Sequence, residues 1–243
     1  MSDSGIDFTD WTVVMPTDRP RRMARAIRAI REAHFGRLRA VIVAGNEVTA
    51  TAAQADGMEA VLNPGTFVMS KAWNLGLKAV KTKYVFLVED DTRLLTPFGI
   101  DELVRLSAEL KDQGVVAPAL LGSCLGHKVF EARATWELMA IKPQDFTLVA
   151  ALVPMSVVEK VGLFDESFTG YGYDDNDFAL RVDLGGMKVR VYQRVLVDHE
   201  SYLSAYRENV KKQGIKLGRM AFENRVKFVA KYGRRVMRWG ANT

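Results

Sequence analysis

Short apolar runs that alternate with helical segments constrain the fold of this chain most. The runs at 11–16 (WTVVMP), 38–45 (LRAVIVAG) and 84–88 (YVFLV) have the length and composition of buried strands. The segments at 19–33 and 68–80 carry apolar residues at helical spacing. Strands that alternate with helices imply crossover connections. The pattern therefore predicts an α/β fold, with a mostly parallel, Rossmann-like sheet flanked by helices.

Acidic residues follow the third strand directly. Glu89, Asp90 and Asp91 stand at the end of the run YVFLV, and ligands of open α/β sheets bind beyond the carboxyl ends of the strands. Adjacent carboxylates repel one another unless a cation neutralises them. Hard divalent cations take oxygen ligands, and Mn²⁺ also accepts imidazole. The turn therefore indicates a metal site; the alternative is an acidic turn that caps the following helix.

A second acidic cluster follows a glycine-rich turn in GYGYDDNDFALRV, residues 170–182. Asp175 has no evident partner in sequence and is a candidate general base, whereas Asp177 and Arg181 have the spacing of a structural ion pair on a helix. The alternative for the cluster is a helix N-cap. His199, in VLVDHE at 195–200, ends another apolar run. It is a candidate metal ligand, although a lone histidine is more often an ordinary surface or core residue.

Basic residues are concentrated near the C-terminus. The chain has a net charge of +5, but residues 207–238 contain eleven Lys or Arg and two Glu, a local net charge of +9. Such asymmetry favours contact with an anionic partner, either DNA or membrane headgroups. The alternative is a packed helix with solvated lysines. We predict one α/β domain over 1–205 and a basic helical extension over 206–243.

Other features predict a soluble cytoplasmic protein. The single cysteine, Cys124, excludes an intramolecular disulfide and fits a reducing compartment. The N-terminal segment MSDSGIDFTD is polar and acidic, unlike a signal peptide. The longest apolar stretch, at 147–158, is shorter than the roughly 20 residues that a membrane span needs.

Four motifs, in order along the chain, resemble those of the family 2 inverting glycosyltransferases of the GT-A fold. VVMPTDRPRRMARAIRAI is similar to the opening nucleotide-binding segment of that family, and KAWNLGLKAVKTKYVFLVEDD to the segment that ends in the DxD metal motif. VGLFDESFTGYGYDDNDFALRVDLGGMKV is similar to the segment that contains the acidic catalytic pair. VLVDHE is similar to the element that often closes the catalytic domain. The resemblance covers residues 11 to about 200 and implies a GT-A fold.

The resemblance implies roles for the acidic residues and the histidine. Glu89 and Asp91 occupy the outer DxD positions, and Asp91 matches the main protein ligand of Mn²⁺ or Mg²⁺. Glu89 replaces an aspartate, keeping the charge with a longer reach. His199 stands where some GT-A enzymes supply a further metal ligand. Asp174 matches an acceptor-hydroxyl contact and Asp175 the catalytic base.

The resemblance also implies a binding site for the nucleotide. Thr17 and Arg19 fall on the first nucleotide-binding loop, Asp90 matches a residue near the ribose, and Asn74 stands at the start of a helix with an NxG element. Family members commonly carry an aspartate after the second strand that contacts the nucleobase. This chain has Asn46 there, so the expected UDP-sugar is favoured without being required.

The implied activity is metal-dependent, inverting transfer of a hexose from a nucleotide-diphosphate sugar to an acceptor hydroxyl. The basic residues suggest a modified DNA base or a lipid-linked or cell-envelope glycan as the acceptor. One alternative is a non-catalytic nucleic-acid-binding protein on a GT-A scaffold. Another is a sugar-phosphate nucleotidyltransferase, which is expected to carry a glycine-rich segment near the N-terminus; MPTDRPRRM at 15–23 contains no glycine.

Overall fold

The computed structural model describes residues 7, 10–34, 38–65, 68–121, 137–170, 172–199 and 217–233. The strands are β1 (Trp11–Thr17), β2 (Ala40–Ala44), β3 (Glu59–Leu62), β4 (Tyr84–Val88), β5 (Thr92–Leu94), β6 (Val115–Leu121), β7 (Leu138–Ile141), β8 (Ala150–Pro154) and β9 (Val189–His199). The helices are α1 (Pro20–Ala33), α2 (Glu47–Ala55), α3 (Met69–Ala79), α4 (Gly99–Glu109), α5 (Met155–Val161), α6 (Asp174–Leu184) and α7 (Leu217–Tyr232). A 3₁₀ helix spans Pro143–Asp145.

The described strands form one nine-stranded sheet in the order β3-β2-β1-β4-β8-β6-β9-β5, with β7 paired to β9. Strands β1, β2, β3 and β4 pair in parallel, as do β6 and β9. Strand β8 runs antiparallel to both β4 and β6, so six strands share one direction, while β5, β7 and β8 oppose it. The predicted α/β fold with a mostly parallel sheet is confirmed.

Strands β1, β2 and β4 are buried on both faces, which is why their sequences are continuous apolar runs. Helix α1 buries Met23, Ile27 and Ile30 on one side and exposes most of its arginines on the other. Helix α3 approaches β1 so closely that a Cβ on Gly76 would lie 2.2 Å from Val14 Cγ1. Glycine at this position therefore sets the distance between helix and sheet.

The apolar stretch at 147–158 is divided between two elements. Strand β8 is inserted between β4 and β6, and α5 begins immediately after Pro154. Alternation of strands and helices along the sequence did not predict this antiparallel strand, because its direction depends on its neighbours in the sheet. Among the described residues, no helix combines the length and apolar character that crossing a membrane requires.

Helix α7 lies inside the predicted extension 206–243 and is the helical part of it that the structure describes. Its Phe228 is 4% exposed and forms a small apolar cluster with Phe168 and Leu180. The division of the chain at residue 205 stays a prediction, because most residues around that point lie outside the described ranges.

Candidate active site

The turn from Glu89 to Asp91 connects β4 to β5 at the edge of the sheet where β1 and β4 also end. The Thr92 N–H donates to the Glu89 carbonyl at 3.2 Å. Thr92 is paired with His199, the last residue of β9, in the antiparallel β5–β9 ladder. This register brings the imidazole to the acidic turn. A strand follows the turn, and α4 begins only at Gly99, so the helix-capping interpretation of these carboxylates is wrong.

Glu89, Asp91 and His199 form one cluster of potential metal ligands. His199 Nε2 lies 3.4 Å from Asp91 Oδ1 and 3.6 Å from Glu89 Oε2. One ligand atom from each of the three residues lies within 4.8 Å of the other two. Asp91 Oδ1 is buried and faces the His199 imidazole. Two carboxylates and an imidazole suit Mn²⁺, and the carboxylates also suit Mg²⁺. These residues therefore fit a divalent cation.

Glu89 and His199 titrate outside their ordinary ranges. Burial raises the pKa of Glu89 to about 7 against the opposing hydrogen bond from His199, and the charge of Asp91 raises it further. Burial lowers the pKa of His199, but hydrogen bonds to Asp91 and Glu89, together with their charges, outweigh burial and raise it to about 10. The protonated imidazole therefore acts as the cation of this cluster. Metal ligands must be deprotonated, so binding of a metal ion at this cluster releases a proton.

We expect the stability of the metal-free protein to depend on pH through His199. Its folded-state pKa, about 10, exceeds the ordinary value of 6.5, so its stabilising contribution is complete below pH 6.5 and is lost as the pH rises towards 10. In the presence of a chelator, the melting temperature of the wild type should fall more steeply between pH 6.5 and 10 than that of His199→Asn. Thermal unfolding at several pH values measures the difference, and parallel curves would contradict the assignment.

The predicted nucleotide loop is assembled around Asp90. Thr17 Oγ1 donates to Asp90 Oδ2 at 2.6 Å, and Arg19 Nη2 donates to Asp90 Oδ1 at 3.2 Å. Asp90 is 5% exposed, and burial raises its pKa although the bonds from Thr17 and Arg19 oppose this. The residues come together because β1 and β4 are adjacent parallel strands that end at the same edge of the sheet.

Arg22 belongs to this site and was missed by the sequence analysis. Its Nη1 lies 3.9 Å from both Asp90 Oδ1 and Asp91 Oδ2, and its side chain is only 18% exposed. Helical periodicity assigns Arg22 to the polar face of α1 together with the exposed arginines. Its place in the first turn, directly after the Thr17–Arg19 loop, is the signal that could have identified it.

Asn46 lies beside the nucleotide loop. Its Oδ1 accepts a hydrogen bond from the Thr49 N–H at 2.8 Å and so caps α2, while its Nδ2 donates to the Asp18 carbonyl at 2.8 Å. The side chain thus joins the carboxyl end of β2 to the loop after β1. Contact between Asn46 and a nucleobase stays a prediction.

Asn74 lies in the middle of α3, not at the start of a helix as predicted, because the helix already begins at Met69. Its Nδ2 donates to the Phe164 carbonyl at 2.9 Å and to Glu166 Oε1 at 2.8 Å, and its Oδ1 accepts from the Phe164 N–H at 2.8 Å. The amide therefore supports the segment that leads to the glycine-rich turn. Its assignment to nucleotide binding stays a prediction.

Two neighbouring residues, Leu148 and Val149, connect Asp175 to the Glu89–Asp91–His199 cluster. Asp175 Oδ2 accepts from the Leu148 N–H at 3.2 Å, and the Val149 carbonyl accepts from the Glu89 N–H at 2.9 Å. Burial, followed by the charge of Asp174 and more weakly that of Glu89, raises the pKa of Asp175 to about 8. The carboxyl group therefore lies close enough to be affected by the charge of Glu89, yet it is not part of the Glu89–Asp91–His199 cluster.

The residues around Asp175 begin helix α6. Asp174 is the first residue of the helix, and burial raises its pKa. The N-cap is Tyr173, which makes no side-chain capping bond, so neither aspartate occupies the N-cap position. Asp175 Oδ1 nevertheless accepts from the first-turn N–H of Asn176 at 2.8 Å. Asp177 is fully buried and accepts from Arg181 Nε at 2.9 Å. The predicted structural ion pair on this helix is confirmed.

Comparisons with known proteins agree with this architecture. No protein-family profile and no curated protein matches the sequence. The mannosyltransferase PcManGT from Pyrobaculum calidifontis, solved with GDP-Man and Mn²⁺, is similar in structure, with a TM-score of 0.63 and 17% identity over 86% of this chain. GalNAc-T7, solved with UDP, GalNAc and Mn²⁺, has a TM-score of 0.61 and 11% identity over 78% of this chain.

This chain covers 63% of the mannosyltransferase and 43% of GalNAc-T7. At such low identity the similarity establishes the fold alone. The chain has the GT-A fold, as predicted, and it shares this fold with glycosyltransferases whose structures contain Mn²⁺ and a nucleotide or nucleotide sugar.

Proposed function

We propose that this protein is a metal-dependent, inverting glycosyltransferase that moves a hexose from a nucleotide-diphosphate sugar to an acceptor hydroxyl. The observation that carries the proposal is the cluster of Glu89, Asp91 and His199 at the carboxyl edge of the sheet. A second, separate carboxylate, Asp175, lies half-buried near it. The shared fold with Mn²⁺-containing glycosyltransferase structures supports the same function.

The cluster and Asp175 have different tasks in this proposal. Glu89, Asp91 and His199 would hold Mn²⁺ or Mg²⁺, which when bound supplies Lewis-acid stabilisation of the charge on the departing diphosphate. The oxygen of the acceptor hydroxyl bonds to the anomeric carbon, and the bond from that carbon to the diphosphate oxygen breaks. Asp175 accepts the proton that the hydroxyl loses. A single displacement of this kind inverts the anomeric configuration.

The raised pKa of Asp175 suits this task. A general base works best when its pKa lies near the operating pH, and an exposed aspartate is too weak a base for that. Burial and the charge of Asp174 raise the pKa of Asp175 to about 8. Asp174 precedes it at the start of α6, where we assign it a contact to the acceptor.

The nucleotide is assigned to the loop around Asp90. Thr17 and Arg19 hold Asp90 in place, and Asn46 lies on the neighbouring loop. We assign the ribose to Asp90 and the nucleobase side to Asn46. The resemblance favours a UDP-sugar, whereas the two structural neighbours contain GDP-Man in one case and UDP in the other. Both nucleotides therefore belong in the first test.

The test is a panel of UDP- and GDP-sugars, each scored with and without Mn²⁺ for thermal stabilisation and for slow release of the nucleoside diphosphate. A ligand at about 100 times its Kd adds roughly 2.7 kcal/mol to the stability. For a domain of this size that corresponds to a shift of about 5–10 °C. We expect one donor to give a Mn²⁺-dependent shift and turnover. If none does, the transferase assignment is overturned, and direct nucleic-acid binding becomes the next measurement.

A further inference from the structure

Helix α7 packs its inner face against the glycine-rich turn that precedes the acidic pair. Asn224 is 1% exposed, and its Nδ2 donates to the carbonyls of Thr169 and Gly172, both at 2.9 Å. One side chain therefore binds the turn on both sides of its centre. Gly170 lies so close to the helix that a Cβ would be 2.9 Å from Met220 Sδ. A larger residue at Gly170, which has φ = 82°, would strain the backbone and displace the Met220 side chain.

The C-terminal end of α7 binds the first turn of α6. Lys231 Nζ and the Tyr232 hydroxyl each donate to Asp177 Oδ1 at 2.7 Å. Lys231 Nζ also donates to Asp165 Oδ2 at 2.7 Å. Asp177 is fully buried, and a buried carboxylate is stable only when it is paired and hydrogen-bonded. Helix α7 therefore supplies two of the donors that keep this end of α6 in place.

The backbone between these two contacts is held in an uncommon conformation. Tyr173, directly before Asp174, has φ = 73°, a left-handed conformation that is rare for a bulky side chain and persists where the surroundings determine it. The Tyr173 ring lies 5.5 Å from the Phe228 ring of α7, measured between centroids. Asp174 and Asp175 follow at once, so α7 contacts the chain directly before the two carboxylates.

These contacts change the interpretation of the basic C-terminal segment. Lys231 is bound to Asp165 and Asp177, Lys227 donates to the Ser167 carbonyl at 2.6 Å, and Arg219 pairs with Glu223 at 2.8 Å. The lysine and arginine side chains of α7 that make these contacts therefore stabilise the fold. The predicted anionic partner, DNA or membrane, remains a prediction for the basic residues of 207–216 and 234–238, which lie outside the described ranges.

We propose that α7 is a positioning element of the active site, in which Asn224, Lys231 and Tyr232 fix the Thr169–Asp177 segment so that Asp174 and Asp175 meet the acceptor. The inference rests on the proposed transferase function and deepens it. The donor site assigned above lies on β1, β4, β9, α1 and the loop after β2. The hydrogen bonds of α7 described above are instead made with Asp165, Ser167, Thr169, Gly172 and Asp177. Loss of the α7 contacts should therefore lower the rate of the chemical step and leave donor binding intact.

The test compares variants of the whole chain in the hydrolysis of a nucleotide sugar, in which water replaces the acceptor. The reaction contains Mn²⁺ and whichever of GDP-Man and the UDP-sugars stabilises the wild type. Asn224→Asp removes both amide donors and places a carboxylate against two carbonyls. Lys231→Met keeps the apolar part of the side chain but removes the bonds to Asp165 and Asp177. If Asn224→Asp does not fold, Lys231→Met alone tests the positioning role of α7. Arg225→Gln, on the exposed side of α7, is the matched control.

We expect kcat to fall about 10- to 100-fold in Asn224→Asp and Lys231→Met, because small misplacements of a catalytic group have effects of this size. The KM of the donor and its Mn²⁺-dependent thermal shift should match those of the wild type and Arg225→Gln. An unchanged kcat, or a loss of donor binding as large as the loss of kcat, would overturn the positioning role alone. A wild type that neither binds nor hydrolyses any donor would instead overturn the proposed function.

Discussion

Replacing Asp91 with alanine should abolish the Mn²⁺-dependent stabilisation of the protein by its nucleotide-sugar donor. Asp91 Oδ1 is buried and lies 3.4 Å from His199 Nε2. Without this carboxylate the cluster keeps Glu89 and His199 alone. Turnover should fall about a thousandfold, because Lewis-acid stabilisation of a leaving group is worth several kcal/mol and each 1.36 kcal/mol is tenfold in rate.

The matched control for Asp91→Ala is Asp198→Asn. Asp198 is the residue before His199 on β9, but its side chain binds Arg93 at 2.8 Å and is not in the cluster. This variant removes a nearby negative charge and should keep both the Mn²⁺ response and the turnover. Calorimetric titration with Mn²⁺ and the donor measures the first, and release of nucleoside diphosphate measures the second. If Asp91→Ala and Asp198→Asn gave the same Mn²⁺ response and the same turnover, Asp91 would be rejected as a metal ligand.

Replacing Asp175 with asparagine should separate catalysis from donor binding. A positioned general base contributes about 10²- to 10⁴-fold to a rate, and turnover in Asp175→Asn should fall by that amount. The Mn²⁺-dependent thermal shift given by the donor should persist, because Asp175 is not among the clustered ligands. Steady-state kinetics and thermal unfolding of the same preparation measure both effects.

Asp183→Asn is the control for this substitution. Asp183 lies on the same helix, in its last turn, and pairs with Lys188 at the protein surface. It should leave turnover unchanged. The Asp175 variant also separates the two classes of function: a non-catalytic nucleic-acid-binding protein on this fold would have no turnover to lose, and its binding would be little affected. Retention of full turnover in Asp175→Asn would reject Asp175 as the base.

The pKa of Asp175 should also make stability depend on pH. Burial and Asp174 raise its folded-state pKa from 3.8 to about 8, so the stability that it contributes is complete below pH 3.8 and is lost as the pH rises through 8. The neutral amide of Asp175→Asn does not titrate. The variant should therefore lose less stability than the wild type as the pH rises to 8. Thermal unfolding at several pH values measures this difference and tests the environment of Asp175 independently of the kinetics.

The sequence by itself determined the elements whose signals are local. Continuous apolar runs predicted β1, β2 and β4, because strands buried on both faces need apolar residues throughout. The periodic apolar positions of 19–33 and 68–80 predicted α1 and α3, because one face of each helix packs on the sheet. The carboxylates at the end of β4 were found for the same reason, since the end of a buried parallel strand is a defined place in such a fold.

The tertiary structure decided which distant residues meet. His199 reaches Asp91 because β5 pairs with β9 in one particular register, and a shift by one residue would turn its side chain to the other face of the sheet. Periodicity placed Arg22 with the exposed arginines, although packing of α1 brings it to Asp90 and Asp91. The charge of the C-terminal segment assigned Lys231 to a basic tail, yet its side chain binds the buried Asp177. Charge and spacing along the chain describe each residue singly, whereas a site depends on the register and packing that bring residues of separate elements within bonding distance.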